Sequence, residues 1–515
     1  IVMKRMKRIM ALMLAAIMMM AMSVTAFAAE GATKGTLTVN VKDGQTLANQ
    51  TVNIYKLFDM TVSGSNYGYK VNSLYTPILD QVLGDGFTDK TDQGYYDAVK
   101  KATDTNNGTN TQKFANDFTK ELLKYNKEHP DQMIKETSTK SFGKDATDTT
   151  FNVDGLDFGY YLVCQTGTKE IQSSLVPVVG ATATVNLKTQ APDITKTADN
   201  DATTVYVGQT VTYTITGQVP DMTGYSNYVY KIHDTLTDGL DFVKNEAGNV
   251  VVTVKIGETA YDDVVGVISK DNARKMTIDL SEKVKTADTG AEIKVTYQAK
   301  VNKNAIVETK NSATLEYSNK PGTEETGTTK PSEVVTPTYP LDVKKTDTKD
   351  TMLAGAHFKL YASTTDGNID KNKVIKVTKD VENTDGKYTY AANQSAEDAI
   401  DEMVTVANKI DKQGYNLHIN GLAAGIYYLE ETQAPDGYNK LSAPIKVTIT
   451  KTGDTEWTVS KDDVEETDKI IDIENSTGSI LPSTGGRGAI AFSVIAALLV
   501  FGVAVSFIRD KRKEA

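Results

Sequence analysis

Two stretches of this 515-residue chain carry residue types whose spacing suits covalent chemistry. In Leu341-Asp342-Val343-Lys344-Lys345, Lys345 alternates in phase with Leu341 and Val343, so on a strand it shares their face and points into the core. Burial there penalises an ammonium and pushes a carboxyl toward its protonated form. A lysine enclosed with an acid is thereby driven toward a free amine, a competent nucleophile. The second stretch is Leu481-Pro482-Ser483-Thr484-Gly485. Pro482 bends and stiffens the chain, and Gly485 leaves the Thr484 carbonyl unshielded, so the bond between them suits attack by an enzyme nucleophile. Two other sets offer less. His233 beside Asp234 invites a metal or dyad reading, but neighbours on a strand face opposite ways. Cys164 follows the apolar run Tyr160-Tyr161-Leu162-Val163 with no histidine nearby in sequence, the setting of a buried, unreactive thiol. No metal site and no cofactor are expected.

The elements that must position these residues begin with the two ends. Lys4, Arg5, Lys7 and Arg8 precede an apolar run over residues 9–22 and Ala26-Phe27-Ala28, the layout of a signal peptide over residues 1–28. Behind the pentapeptide and its spacer (residues 478–488) come an apolar run over 489–508, long enough for one transmembrane helix, and a basic tail over 509–515 that belongs on the cytoplasmic side. The net charge is −11, and more negative once both basic ends are set aside, which excludes nucleic acid as a partner. With a single cysteine, no intrachain disulfide can staple an exported chain of this size.

Between the ends the pattern is mainly β, in three regions. Over 29–190, alternating segments such as Leu37-Thr38-Val39-Asn40-Val41 flank a stretch in which Phe114, Phe118, Leu122 and Tyr125 recur at helical spacing, with a second helix around Tyr95. The expectation is a β-sandwich with a partly helical insertion. Over 191–337, segments such as Val211-Thr212-Tyr213-Thr214-Ile215 read as an all-β sandwich without a convincing helix, and residues 321–340 as a linker or strand lead-in. Over 338–477 strand patterning continues to Ile473-Glu474-Asn475.

Leu481-Pro482-Ser483-Thr484-Gly485, followed by span and basic tail, resembles in full the LPxTG sorting signal of Gram-positive surface proteins. That resemblance implies cleavage by a sortase after Thr484, which is then joined to peptidoglycan or to another subunit. In the third region, Tyr427-Tyr428-Leu429-Glu430-Glu431-Thr432-Gln433-Ala434-Pro435-Asp436-Gly437-Tyr438 resembles the E-box of collagen-adhesin B-type (CnaB) domains of the immunoglobulin-like class. In such domains a lysine and an asparagine join through a spontaneous isopeptide bond. The resemblance makes Lys345 the amine, Asn475 the acceptor amide and Glu431 the assisting acid. Attack on the amide carbon would expel ammonia, with effective concentration supplied by the fold.

The middle region looks like the second domain of sortase-assembled pilins. By that resemblance Lys196, in Asp193-Ile194-Thr195-Lys196-Thr197, pairs with Asn311, and Asp234 assists. The first region departs from the pattern: aligned on the E-box it puts Cys164 where the acid should be, and no crosslink is expected there. Polymerisation also needs a lysine that takes the Thr484 of a neighbour. Lys188 is the candidate at the junction of the first two regions, although the Tyr-Pro that precedes such lysines in the family is absent.

The resemblance covers nearly the whole chain and implies tandem immunoglobulin-like sandwiches in a non-enzymatic, wall-anchored fimbrial shaft subunit. Its partners would be a sortase, identical subunits, peptidoglycan, and tip and base pilins. The competing expectation is a monomeric wall-anchored adhesin whose helical insertion binds a host ligand. A surface hydrolase would need paired carboxylates in a cleft or a histidine cluster, and four scattered histidines do not make one.

Overall fold

The computed structural model describes residues 33–478, apart from 64–65, 104–108, 189, 200–203 and 383. The signal-peptide, sorting-motif and transmembrane readings therefore lie outside the described residues. Among the described residues no helix is long and apolar enough to cross a membrane. Strands hold 45% of the chain and helices 12%, so the architecture is mainly β, in several sheets. Contacts divide it into two compact units that meet at Pro337 and Thr338.

The first unit opens with two sheets facing each other. One has three strands, with Lys34–Val41 in the centre, antiparallel to Thr150–Asp157 and parallel to Thr182–Leu187. The other is built on Thr51–Ser63 and Gly159–Thr166. Leu37, Val39, Ile54, Tyr161, Val163 and Val178 fill the space between them. The outer face of the second sheet is not solvated. It is covered by α1 (Thr76–Leu83), α2 (Asp92–Thr103) and α3 (Thr109–Glu128), which pack Ile78, Tyr95, Phe114, Phe118 and Leu122 against Tyr55, Leu162 and Cys164. A strand buried on both faces cannot alternate, which is why Gly159–Thr166 reads as a nearly continuous apolar run. The periodicity at Phe114 and Tyr95 anticipates α3 and α2. It misses α1, a helix of eight residues whose apolar positions are too few to set a period.

The rest of this unit is a second pair of sheets. Thr195–Ala198, Thr210–Gln218 and Glu292–Val301 lie in one, and Tyr230–Leu236, Lys275–Asp279 and Lys310–Ser318 in the other. Val250–Ile256 passes between them, pairing with Val265–Ile268 at its start and with Glu292–Val301 beyond. Two readings of the sequence need correction here. A single helical turn, Ser281–Val284, interrupts the strands. Residues 321–340, read as a linker or strand lead-in, supply two short strands of their own, Thr326–Thr328 and Ser332–Val335, both paired with Lys310–Ser318. The two halves of the unit meet where Gly167, at φ +75°, turns so tightly that a Cβ would lie 2.7 Å from the Asn49 carbonyl oxygen and 2.9 Å from that of Asn319. Only glycine fits there. Asn49 in turn donates to the Thr328 carbonyl at 2.8 Å.

The second unit is again two sheets. Tyr339–Asp347 sits between Leu417–Leu422, antiparallel, and Ile470–Asn475, parallel. The facing sheet is centred on His357–Ser363, Gly425–Gln433 and Ile445–Lys451. Tyr339, Leu341, Val343 and Lys345 are all fully buried on one face of their strand, so the alternation that buries three hydrophobic side chains buries a lysine with them.

Candidate functional site: two buried lysine–asparagine–acid clusters

Lys345, Glu431 and Asn475 converge in the core of the second unit, each at most 1% exposed. Lys345 stands directly across the parallel ladder from Ile473, with Asn475 two residues further on the same face. The Lys345 Nζ donates to Asn475 Oδ1 and, more weakly, to the Ile473 carbonyl at 3.4 Å. Glu431 arrives from the facing sheet. Its Oε1 accepts from Asn475 Nδ2 at 2.9 Å and lies 3.8 Å from the lysine nitrogen, while its Oε2 accepts from the Leu441 amide at 2.7 Å. Burial pulls the Lys345 amine down to about 8, against the opposing pull of the Glu431 charge. The amine therefore touches the amide it would attack and gives up its charge far more readily than an exposed lysine.

The middle cluster is wired differently. Lys196 lies on one sheet, while Asp234 and Asn311 occupy adjacent strands of the other, with Asp234 paired to Ala313 and Asn311 to Leu236. Lys196 donates to Asp234 Oδ2 and to the hydroxyl of Tyr297. Tyr297 donates to the same carboxylate oxygen at 2.6 Å and accepts from Asn311 Nδ2 at 2.8 Å. Burial pushes the Asp234 carboxyl up and the Lys196 amine down, and the attraction between them opposes both shifts. The rings of Tyr213 and Tyr297 flank the amine at 5.2 and 4.9 Å. Tyr297 went unrecognised in the sequence because a tyrosine alternating on a strand is an ordinary core residue. Its only signal is register, since Tyr297 pairs directly with Tyr213 across the ladder.

The first half of the first unit holds no such cluster among its described residues. Its first and last strands pair in parallel as those of the second unit do, but the positions offset by two are Val39 and Leu187, which supply neither amine nor amide. Cys164 faces the helical layer, not the space between the sheets, so aligning it on the acid is geometrically wrong. Gln165 is the neighbour that points the other way, and it is fully buried with no partner for its amide among the described residues. The Cys164 thiol is pushed up to about 12 by burial. His233 is turned outward, its Nε2 2.8 Å from Glu316, away from Asp234. Among the described residues no group of three or more histidine, cysteine, aspartate or glutamate side chains could hold a metal.

The Lys188 Nζ is buried without a hydrogen-bond partner among the described residues. Two residues further on, Gln190 enters the wall of an open cleft of about 420 Å³ that Gln45, Asn49, Lys144 and Lys330 also line. Leu481, Pro482, Ser483, Thr484 and Gly485 lie outside the described residues.

Residues 339–463 match the family profile of the SpaA prealbumin-like fold domain. The match falls within the C-terminal β-sandwich. No curated protein matches the chain. Among solved structures, those of several major and backbone pilins are similar to most of the chain. The full-length major pilin SpaD of Corynebacterium diphtheriae is 19% identical over 88% of this chain and 100% of that one, with a TM-score of 0.43. The major pilin SpaA of the same species is 17% identical over 86% and 100%, at 0.45. The T6 backbone pilin of serotype M6 Streptococcus pyogenes is 15% identical over 87% and 99%, at 0.44. The SpaA-type match begins at the strand that carries Lys345 and includes Glu431; Asn475 lies 12 residues beyond its end.

Proposed function

We propose that this chain is the structural shaft subunit of a covalently polymerised fimbria, stabilised by self-formed Lys–Asn bonds in two immunoglobulin-like domains. The observation that carries the reading is the contact of Lys345 with Asn475 in a dry core, with Glu431 bound to the same amide. Isolated buried charges cost several kcal/mol each, and a core selected for stability alone would do as well with apolar residues. A lysine, an acid and an amide held in contact are the reactants and the proton carrier for amide exchange. The amine attacks Cγ of Asn475, Glu431 carries the surplus proton to Nδ2, and ammonia departs. The middle cluster, Lys196, Asp234 and Asn311, has the same chemical inventory.

The rest of the reading combines this with the sequence. The signal peptide exports the chain, and residues 489–508 hold the precursor in the membrane. Sortase cuts after Thr484 and transfers it to Lys188 of the next subunit, whose amine, buried here, must first be released, or, at the fibre base, to peptidoglycan, with tip and base pilins closing the ends. The chain serves adhesion as a scaffold and catalyses nothing beyond its own maturation. The experiment is electrophoresis of wall extracts in SDS. A ladder of high-mass species that collapses to one band in Lys188→Ala supports the shaft, whereas one band in the wild type points to a monomeric surface protein.

A further inference from the structure

The two clusters differ in how the acid reaches the amide. Glu431 accepts directly from Asn475 Nδ2 at 2.9 Å. Asp234 is one methylene shorter, and the Asn311 Nδ2 proton goes to the Tyr297 hydroxyl instead, 2.8 Å away. That hydroxyl also receives a hydrogen bond from the Lys196 amine and donates to Asp234 Oδ2 at 2.6 Å, so one oxygen touches nucleophile, acid and leaving group. Its ring is fixed by stacking on Tyr213 at 5.8 Å and by Phe242 at 6.0 Å. Asp234 Oδ1 and Asn311 Oδ1, on the same face of adjacent strands, are both buried acceptors without a donor among the described residues. Two unpaired buried acceptors on one face are costly, and a proton carried on Asp234 would turn its own unpaired acceptor into a donor. That arrangement leaves Tyr297 as the group facing the amide nitrogen.

We propose that Tyr297 is a catalytic residue of the middle crosslink, carrying the proton from Asp234 to the departing Asn311 nitrogen. The proposal rests on the crosslink reading above. In the step, Lys196 Nζ forms a bond to Asn311 Cγ and gives its surplus proton to Asp234. Tyr297 passes its hydroxyl proton to Nδ2 and recovers one from Asp234. The Cγ–Nδ2 bond breaks and ammonia leaves. One proton moves from Nζ to ammonia, and no oxidant or reductant is needed. The relay does with an aspartate and a tyrosine what the longer Glu431 does alone.

The test follows the secreted chain from residue 29 to Thr484 after cell-free synthesis, quantifying by mass spectrometry the tryptic peptides that join Lys196 to Asn311 and Lys345 to Asn475. In Tyr297→Phe, which keeps the ring, the first linked peptide should accumulate about a hundredfold more slowly, and the second at the wild-type rate. Formation of both at wild-type rates overturns the relay and leaves the crosslink reading standing. Absence of the first peptide from the wild type itself overturns both. Should Tyr297→Phe fail to fold, replacing Tyr297 by 3-fluorotyrosine preserves the hydroxyl and its hydrogen bonds but strengthens it as an acid. A changed rate of linkage supports proton transfer, and an unchanged rate reduces Tyr297 to a packing role and sinks the proposal.

Discussion

Asn475 stands two residues past Ile473, the residue directly opposite Lys345 in a parallel ladder, so amine and amide lie on one face of neighbouring strands. Parallel pairing of the first strand with the last makes the contact possible. It places residues 130 apart in sequence within hydrogen-bonding distance, in a core that excludes water.

Lys345→Met keeps the apolar stem and removes the nucleophile. If the bond forms, this variant loses the constraint on a loop of 130 residues, worth about 5 kcal/mol by the chain-entropy model. Urea unfolding of the second unit should show that loss as a lower midpoint with a steeper slope, because the freed unfolded chain exposes more surface. Intact mass should rise by about 17 Da of retained ammonia per missing bond, after correction for the substitution.

Leaving the amine unreacted exposes its titration. In Asn475→Ala, Lys345 remains buried with a folded-state pKa near 8, against 10.5 for an unperturbed lysine. Between these values the unfolded chain binds a proton that the folded chain does not, so stability rises with pH across that window, by about 3 kcal/mol in total, and is flat below it. If the bond forms in the wild type, an amide replaces the amine and this dependence vanishes. Denaturant midpoints taken below and above the window decide the matter; parallel curves for the two proteins would count against the joined amine.

Cys164 should be inert. Full burial and a thiol pushed up to about 12 leave almost no thiolate at pH 8. Iodoacetamide should label it only in denaturant, and rapid labelling of the native protein would contradict the helical cover over that face.

Phe118, fully buried between α3 and the sheet, should cost roughly 3 to 5 kcal/mol when truncated in Phe118→Ala. The effect should be confined to the first unit. Calorimetry is expected to show its transition lowered while the Lys345–Asn475 linked peptide remains at wild-type yield.

The sequence foretold some of this better than the rest, for physical reasons. Alternation from Tyr339 to Lys345 is legible because one face of that strand is buried and the other is not, and the helices at Phe114 and Tyr95 announce themselves by a 3.6-residue period. Gly159–Thr166 hides which way Cys164 points, because helices cover one side of its sheet and a second sheet the other. The strands at Thr326 and Ser332 are too short to carry a pattern, and their Thr- and Pro-rich composition imitates a linker. Tyr297 could not be singled out at all, since its role depends on three residues from three other strands.

The parallel ladder has a further consequence for cleavage by a protease. Once Lys345 and Asn475 are joined, the covalent path from Thr338 to the C terminus passes through one side-chain amide and skips residues 346–474 altogether. A single cleavage anywhere in that span, which includes exposed turns such as the one around Asp366, would leave the polypeptide unsevered. Damage that would cut an ordinary secreted domain in two becomes a nick in a closed loop.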